Sequence, residues 1–342
     1  MGCRVTGVTM RFLTRWAAVA TLAASVLAPV AAHADPLETQ FDAVLGKIQR
    51  APRVVQPATP SADALEYQLA SLAEASQGRI GVAALDLDTG RTVAVLGDQP
   101  FPMASTSKIA IVATFLAGVD QGRYRLSEQY PLLLPLPSKK FDGPIAPVRA
   151  GEMLSAEQLI ELALTRSDNH AADALLAAVG GPAAVTRWVR TNTGITEFRL
   201  DRDIATLVRD DGAVNPALVV DRRDSITPAA MVRLLTGLYR GQWLSASSRN
   251  VLLGAMSRCQ TGRNRIRALL PEGTAIAHKT GTLANTASDV GFITTPDGRN
   301  LAVAIYVTGQ TGKQERESRI ALLARAIYDG YSAQAPRRAA LR

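Results

Sequence analysis

Strand-like patterning occupies both ends of the chain and helical patterning its middle, a division that constrains the fold more than any other feature. Ile80 to Leu87 is apolar and partly β-branched, Asp88-Thr89-Gly90 is a turn signal, and Thr92 to Leu96 resumes the strand pattern, which predicts a β-hairpin. Toward the other end, Val290 to Thr294 and Leu301 to Thr308 flank a Pro296-Asp297-Gly298 turn, and a helix is predicted from about Lys313 to Tyr331. Leu65, Leu69 and Leu72 recur at helical spacing and predict an amphipathic helix from Ser61 to about Ser76. Between roughly 104 and 257 the pattern is almost wholly helical: Ser105 to Ala117, Ala156 to Leu164, Ala171 to Val179, Ala183 to Thr191, Pro228 to Tyr239 and Ser245 to Met256. Strands from the two ends bury their faces only by pairing with each other. The expected fold is therefore α/β (α+β), an antiparallel sheet with flanking helices built from both termini (61–103 and 258–334), with an inserted all-α domain (104–257).

The first 34 residues carry Arg4, Arg11 and Arg15 with no acid, an apolar run from Trp16 to Val30, and Ala32-His33-Ala34 before Asp35. This predicts a signal peptide cut after Ala34, because the run is short for a transmembrane helix. A periplasmic or secreted protein without stable membrane insertion follows. Residues 35–60 form a leader whose last ten residues include three prolines and predict a linker, and residues 335–342 form a basic tail. Of the net charge of +8, three units lie in the signal segment, leaving +5 dispersed without a basic stripe, so nucleic acid is not expected as a partner. Cys259 is the only thiol beyond the signal segment, which excludes an internal disulfide and predicts a buried, inert side chain. His170 and His278 show no metal-ligand spacing, so neither a metal nor an organic cofactor is expected. Oligomeric state leaves no mark in the sequence; a monomer is the default expectation.

Three short stretches carry chemistry. Ser105-Thr106-Ser107-Lys108 opens an apolar helix, and its spacing puts a hydroxyl and an amine on one face. A serine needs such a base because its hydroxyl is scarcely ionised at neutral pH. Ser167-Asp168-Asn169 lies at a junction of two predicted helices, where short polar residues also serve as caps. His278-Lys279-Thr280-Gly281-Thr282 precedes the C-terminal strands and, taken alone, reads equally as an edge strand with an exposed lysine. Together and in this order, the three resemble the motifs of the penicillin-recognising serine hydrolases, and of class A β-lactamases in particular. Phe101-Pro102-Met103, Leu200-Asp201-Arg202, the run from Asp224 to Met231, Thr261-Gly262 and the run from Ile266 to Pro271 extend the resemblance over about residues 61–332.

The resemblance implies that Ser105 attacks the carbonyl of a small-molecule β-lactam, or of a peptidoglycan stem peptide, with Lys108 removing its proton. Ser167 then passes a proton to the leaving nitrogen. Asn169 holds the substrate's side-chain amide, Lys279 supplies positive charge, and Thr280, Gly281 and Thr282 line the substrate. The oxyanion lies between the backbone amides of Ser105 and Thr282. Arg202 and Asp224 resemble the salt-bridged ends of the loop flooring the site. Two features depart from the family. Ile204 stands where the hydrolytic glutamate is expected, so counting back from Asp224 makes Asn215 the water-holding asparagine and Asp211 the deacylation base, with Asp203 as runner-up. Residues 283–288 contain no arginine, so Arg265, 14 residues before Lys279, is expected to meet the substrate carboxylate beside Thr282. The alternatives to a secreted β-lactamase are a D,D-peptidase that releases β-lactams slowly and a non-catalytic penicillin-binding module.

Overall fold

The computed structural model describes residues 64–74, 77–136 and 143–333. The predicted signal peptide, the Pro-rich linker and the basic tail lie outside the described residues. Helix α1 (Ala64–Leu72) leads into strands β1 (Ile80–Asp86), β2 (Thr92–Val95) and β3 (Phe101–Pro102), and a 3₁₀ turn over Ala104–Ser107 runs directly into α2 (Lys108–Asp120). Next come β4 (Gln129–Pro135), β5 (Val148–Ser155), α3 (Ala156–Glu161), a π-helical turn over Leu162–Arg166, α4 (Asn169–Ala178), α5 (Pro182–Thr193) and α6 (Ile204–Arg209). The chain continues through β6 (Ser225–Ile226), α7 (Pro228–Tyr239), α8 (Ala246–Ser257) and a 3₁₀ turn at Ile266–Leu269. It ends with β7 (Ile276–Leu283), β8 (Thr286–Thr294), β9 (Asn300–Thr308) and α9 (Lys313–Ser332).

The main sheet is antiparallel with strand order β2-β1-β9-β8-β7, so the two ends of the chain meet at the β1–β9 pairing. Strand β9 shows why. Leu301, Val303, Ile305 and Val307 pack on one face with Leu65 and Leu69 of α1 and Ile320, Leu323 and Ile327 of α9. Ala302, Ala304 and Tyr306 face the other way, into the core shared with α2, α4 and α7. A strand covered on both faces reads as one continuous apolar run, which is what residues 301–307 show.

The stretch 104–257 is not helical throughout. Strands β4 and β5 pair as an antiparallel ribbon, and Tyr130, Leu132 and Leu154 lean on the helical core, with the Tyr130 ring edge-on to Phe115 at 5.8 Å. Pro131 sits where the register shifts, a position that does not require a ladder N–H. The two prolines in Tyr130-Pro131-Leu132-Leu133-Leu134-Pro135 hide this strand from sequence patterning.

Two links position the site. Phe101 and Pro102 pair with Ile226 and Ser225, and Met103 donates its N–H to the Asp224 carbonyl at 2.9 Å, so the turn carrying Ser105 is tied to the end of the loop 203–223. The buried Asp224 carboxylate accepts the backbone N–H groups of Asp201 and Arg202 at 2.7 and 3.0 Å and the Arg202 Nε at 2.6 Å. Arg202 also reaches Asp210 at 3.3 Å, bracing the loop from within. Removing one partner of such a buried pair strands the other, so Asp224→Ala is expected to lose about 3–5 kcal/mol of stability in denaturant titration and to become sensitive to proteolysis within 203–223. Parent-like stability would show that the loop is held by other contacts.

Candidate active site

Ser105 lies in the 3₁₀ turn, half-buried, immediately after Ala104, whose φ of +49° is left-handed and disfavoured for alanine. Thr106 supports that geometry by returning both its N–H and its hydroxyl to the Met103 carbonyl, at 3.1 and 2.7 Å. One helical step on, Lys108 is fully buried. Its amine does not bond the Ser105 hydroxyl, as the spacing alone predicts; it donates to the Ser167 carbonyl at 2.6 Å and to Asn169 Oδ1 at 2.7 Å, with Ser167 Oγ at 3.4 Å.

The π-helical turn ends on Ser167 in the left-handed region, at φ 60° and ψ 30°. Asp168 then caps α4 by accepting the Ala171 N–H at 2.8 Å. Capping therefore belongs to the middle residue of this motif, and the two flanking side chains stay with the lysines. Strand β7 is the sheet edge, but Lys279 is fully buried rather than exposed. Its amine donates to Ser167 Oγ and to the Thr280 carbonyl, each at 2.8 Å. Gly281 lets the strand approach the nucleophile turn: a Cβ there would lie 2.6 Å from the Met103 carbonyl oxygen, 3.0 Å from Ala104 Cβ and 2.4 Å from Ser288 Oγ.

Two buried amines thus converge on Ser167, and among the described residues no carboxylate lies within ion-pair distance of either. Burial pushes Lys108 well below the ordinary lysine value, and the charge of Lys279 lowers it further against partial compensation by Asp168 and Asp173. Burial also lowers Lys279, to about 8, against the opposing influence of Cys259 and Asp289. Lowered proton affinity makes an amine beside a serine hydroxyl a better general base than an ordinary lysine.

The other expected site residues are placed differently. Arg265 is buried and donates to the carbonyls of Gly281 and Ser288, to Thr282 Oγ1 at 2.7 Å, and to Glu317 through Nε and Nη2. All five N–H groups therefore have protein acceptors, and the group it presents is the exposed Thr282 hydroxyl that it orients. Thr280 is buried, with its hydroxyl 2.6 Å from that of Thr261. Asp211 is exposed and accepts the Ala284 N–H at 2.8 Å; Asn215 bonds the Ala217 N–H and Asn285. Neither bonds to the Ser105, Lys108, Ser167 and Lys279 cluster. Asp203 caps α6 through the Thr206 N–H, and Ile204 is buried in the core. No group of three or more His, Cys, Asp or Glu side chains among the described residues is arranged to hold a metal ion.

Two functional neighbours escape sequence reasoning. Asp173 accepts the N–H groups of Ile204 and Ala205 at 2.7 and 2.8 Å, pinning the start of the floor loop. Burial raises its carboxyl to about 7, over the opposing effect of those two bonds. It follows Asn169 by four residues on α4, a spacing that would have marked it. Glu317 supports Arg265 from α9 across 52 residues, and no local pattern announces it.

The described body matches the family model "Beta-lactamase enzyme family" over residues 64–331. The chain belongs to that family. It is 34% identical to Beta-lactamase CTX-M-25 of Escherichia coli over 279 residues, covering 80% of this chain and 92% of that one. Among solved structures, a class A β-lactamase representing the last common ancestor of Gram-negative bacteria superposes with a TM-score of 0.66 at 38% identity, over 79% of this chain and 100% of that one. A β-lactamase from Chitinophaga pinensis does so with a TM-score of 0.68 at 27% identity, again over 79% and 100%. In this β-lactamase, Gly281→Ala is expected to keep the fold, judged by circular dichroism, while lowering kcat/KM about 100-fold by displacing β7 from Ser105. Unchanged kinetics would show that the approach of β7 is not needed for turnover.

Proposed function

We propose that this β-lactamase opens its substrate through an ester on Ser105, and one observation carries the assignment of roles: the Ser167 hydroxyl bonds the buried amine of Lys279 while the Lys108 amine holds the same residue's carbonyl. Lys108 takes the proton from Ser105 as its oxygen bonds the lactam carbonyl carbon. The carbon–nitrogen bond then breaks, the nitrogen receives the Ser167 proton, and Lys108 returns a proton to Ser167. Backbone N–H groups of Ser105 and Thr282 receive the oxyanion. With Oδ1 of Asn169 engaged by Lys108, its amide nitrogen remains for the substrate's side-chain carbonyl. Lys279 and Thr282, the latter oriented by Arg265, face the substrate carboxylate.

Hydrolysis of the ester needs a base to take a proton from water. Ile204 supplies none, and we assign the step to Asp211, with Asp203 second. One Asp211 oxygen is held by the Ala284 N–H at the turn that follows Thr282 and Leu283; the other accepts no hydrogen bond among the described residues. A base held outside the lysine cluster makes deacylation the slow step. The proposal extends to export by the segment 1–34, action as a monomer in the periplasm or outside the cell, a body divided as 61–103 with 258–334 and 104–257, and a contribution to β-lactam resistance. Among the described residues no helix is long and apolar enough to cross a membrane.

Intact mass spectrometry with a penicillin is expected to show an adduct on the parent and none on Ser105→Ala; a labelled Ser105→Ala protein would overturn the assignment. In Asp211→Asn the adduct is expected to form as in the parent and to persist, with turnover of a chromogenic cephalosporin reduced by about 10²- to 10⁴-fold, the usual worth of a general base. Turnover equal to the parent would transfer the step to Asp203, Asp210 or Lys108.

A further inference from the structure

Behind the strand that carries Lys279 lies a second group of titratable side chains for which the proposed reaction has no use. His278 is buried, and its Nδ1 lies 2.8 Å from Asp289 Oδ1 on the neighbouring strand β8. Its Nε2 has no hydrogen-bond partner among the described residues. Burial by itself lowers the imidazole, but the Asp289 carboxylate outweighs it and raises His278 to about 10. Asp289 thus favours the protonated ring, and Nε2 is left as a buried nitrogen without a hydrogen bond among the described residues. The ionisable group that answers it is Cys259, just past α8: burial pushes the thiol up, and His278 reverses this, bringing it to about 7. Cys259 is buried, as the sequence predicts, and His278 lowers its proton affinity.

The thiol is also linked to the substrate wall. Cys259 Sγ lies 3.3 Å from Thr261 Oγ1, which lies 2.6 Å from Thr280 Oγ1. The intervening turn is wrapped tightly over this group. Gly262 has φ +78°, and a Cβ there would stand 2.6 Å from Thr280 Cγ2, 3.4 Å from Asp289 Oδ2 and 3.5 Å from His278 Cε1. Lys279 senses Cys259 and Asp289 as favourable charges, Arg265 as an unfavourable one, and Lys108 faces it across Ser167. Arg258, adjacent to Cys259, is turned away onto Glu161, and Asp168 and Asp173 act on Lys108.

We propose that Cys259, His278 and Asp289 form a positioning unit for substrate recognition, in which the Cys259 sulfur orients Thr280 through Thr261, behind the strand that presents Lys279. The proposal builds on the assignment of Lys279 and the 280–282 segment as the wall that meets the substrate carboxylate. None of the three is a catalytic residue, because each acts through Thr280 or Lys279.

Two variants separate the bond from the charge. Cys259→Ala removes both: KM for a penicillin at pH 8 is expected to rise roughly three- to tenfold, the worth of one hydrogen bond, with a smaller change in kcat. The basic limb of the kcat/KM profile, where the Lys279 ammonium is lost, moves to lower pH. Cys259→Ser restores a donor and acceptor without the charge, so KM at pH 6 returns to the parent value while the basic limb stays displaced. Variants that lower Tm but keep the parent pH profile and KM would reduce Cys259 to packing and overturn the proposal. An activity-independent readout accompanies these. The ¹³Cβ resonance of Cys259 in the parent is expected to titrate near 7 and to move to higher pH in His278→Asn. A parent thiol titrating at its ordinary value near 9 would overturn the proposal whatever the kinetics, whereas failure of the parent to form a penicillin adduct would strike the functional assignment alone.

Discussion

The hydroxyl of Ser167, bonded by Lys279 while Lys108 holds the carbonyl of the same residue, is the interaction on which the rest of the site depends. Burying two ammonium groups without a carboxylate partner is unfavourable, and the structure relieves it by lowering their proton affinity rather than by neutralising them. A lysine at its ordinary affinity holds its proton too firmly to act as a base, so the lowered affinity is what the proposed role of Lys108 requires. The surrounding backbone is bent to serve this meeting point. Ser167 and Ala104 both occupy the left-handed region, at a cost of about 1–3 kcal/mol each. They are held there by the cap of α4, the Met103 to Asp224 hydrogen bond and the close approach of Gly281.

Legibility in the sequence followed the range of the interactions. The terminal strands and most of the helices were readable because each is covered by a periodic face, as the alternation of Leu301, Val303, Ile305 and Val307 with Ala302, Ala304 and Tyr306 shows. Ser105, Lys108, Ser167, Asn169 and Lys279 were readable because short motifs carry them, although the bonds among them join residues 59 to 112 apart. The β4–β5 ribbon was not, since Pro131 and Pro135 interrupt the pattern and tertiary packing of Tyr130 and Leu132 supplies what propensity lacks. Nor was the state of Arg265, whose five hydrogen bonds go to four acceptor atoms on three distant elements, or the lowered proton affinity of Cys259, which comes from a histidine 19 residues away.

Near the start of the loop 203–223 stands Ile204, where the family resemblance leads one to expect a glutamate. Asp173 fixes the backbone of Ile204 and Ala205, so the start of α6 is rigid and the side chain at 204 points into the core. Asp203 is occupied as a cap and Asp210 by Arg202 and Arg209. Asp203 and Asp211 each keep one oxygen without a hydrogen bond among the described residues, and of the two Asp211 bonds the Ala284 N–H just past the end of β7. The proposed acylation residues thus lie on or beside regular elements, whereas the proposed hydrolytic base lies on a loop braced at Arg202 and Asp224.

The central claim, that two buried lysines share Ser167 with reduced proton affinity, is tested most directly by following the ¹³Cε resonances of Lys108 and Lys279 with pH in the free enzyme, assigned through Lys108→Arg and Lys279→Arg. Lys279 is expected to titrate near 8 and Lys108 well below 10.5. Both resonances titrating at the ordinary lysine value would contradict it.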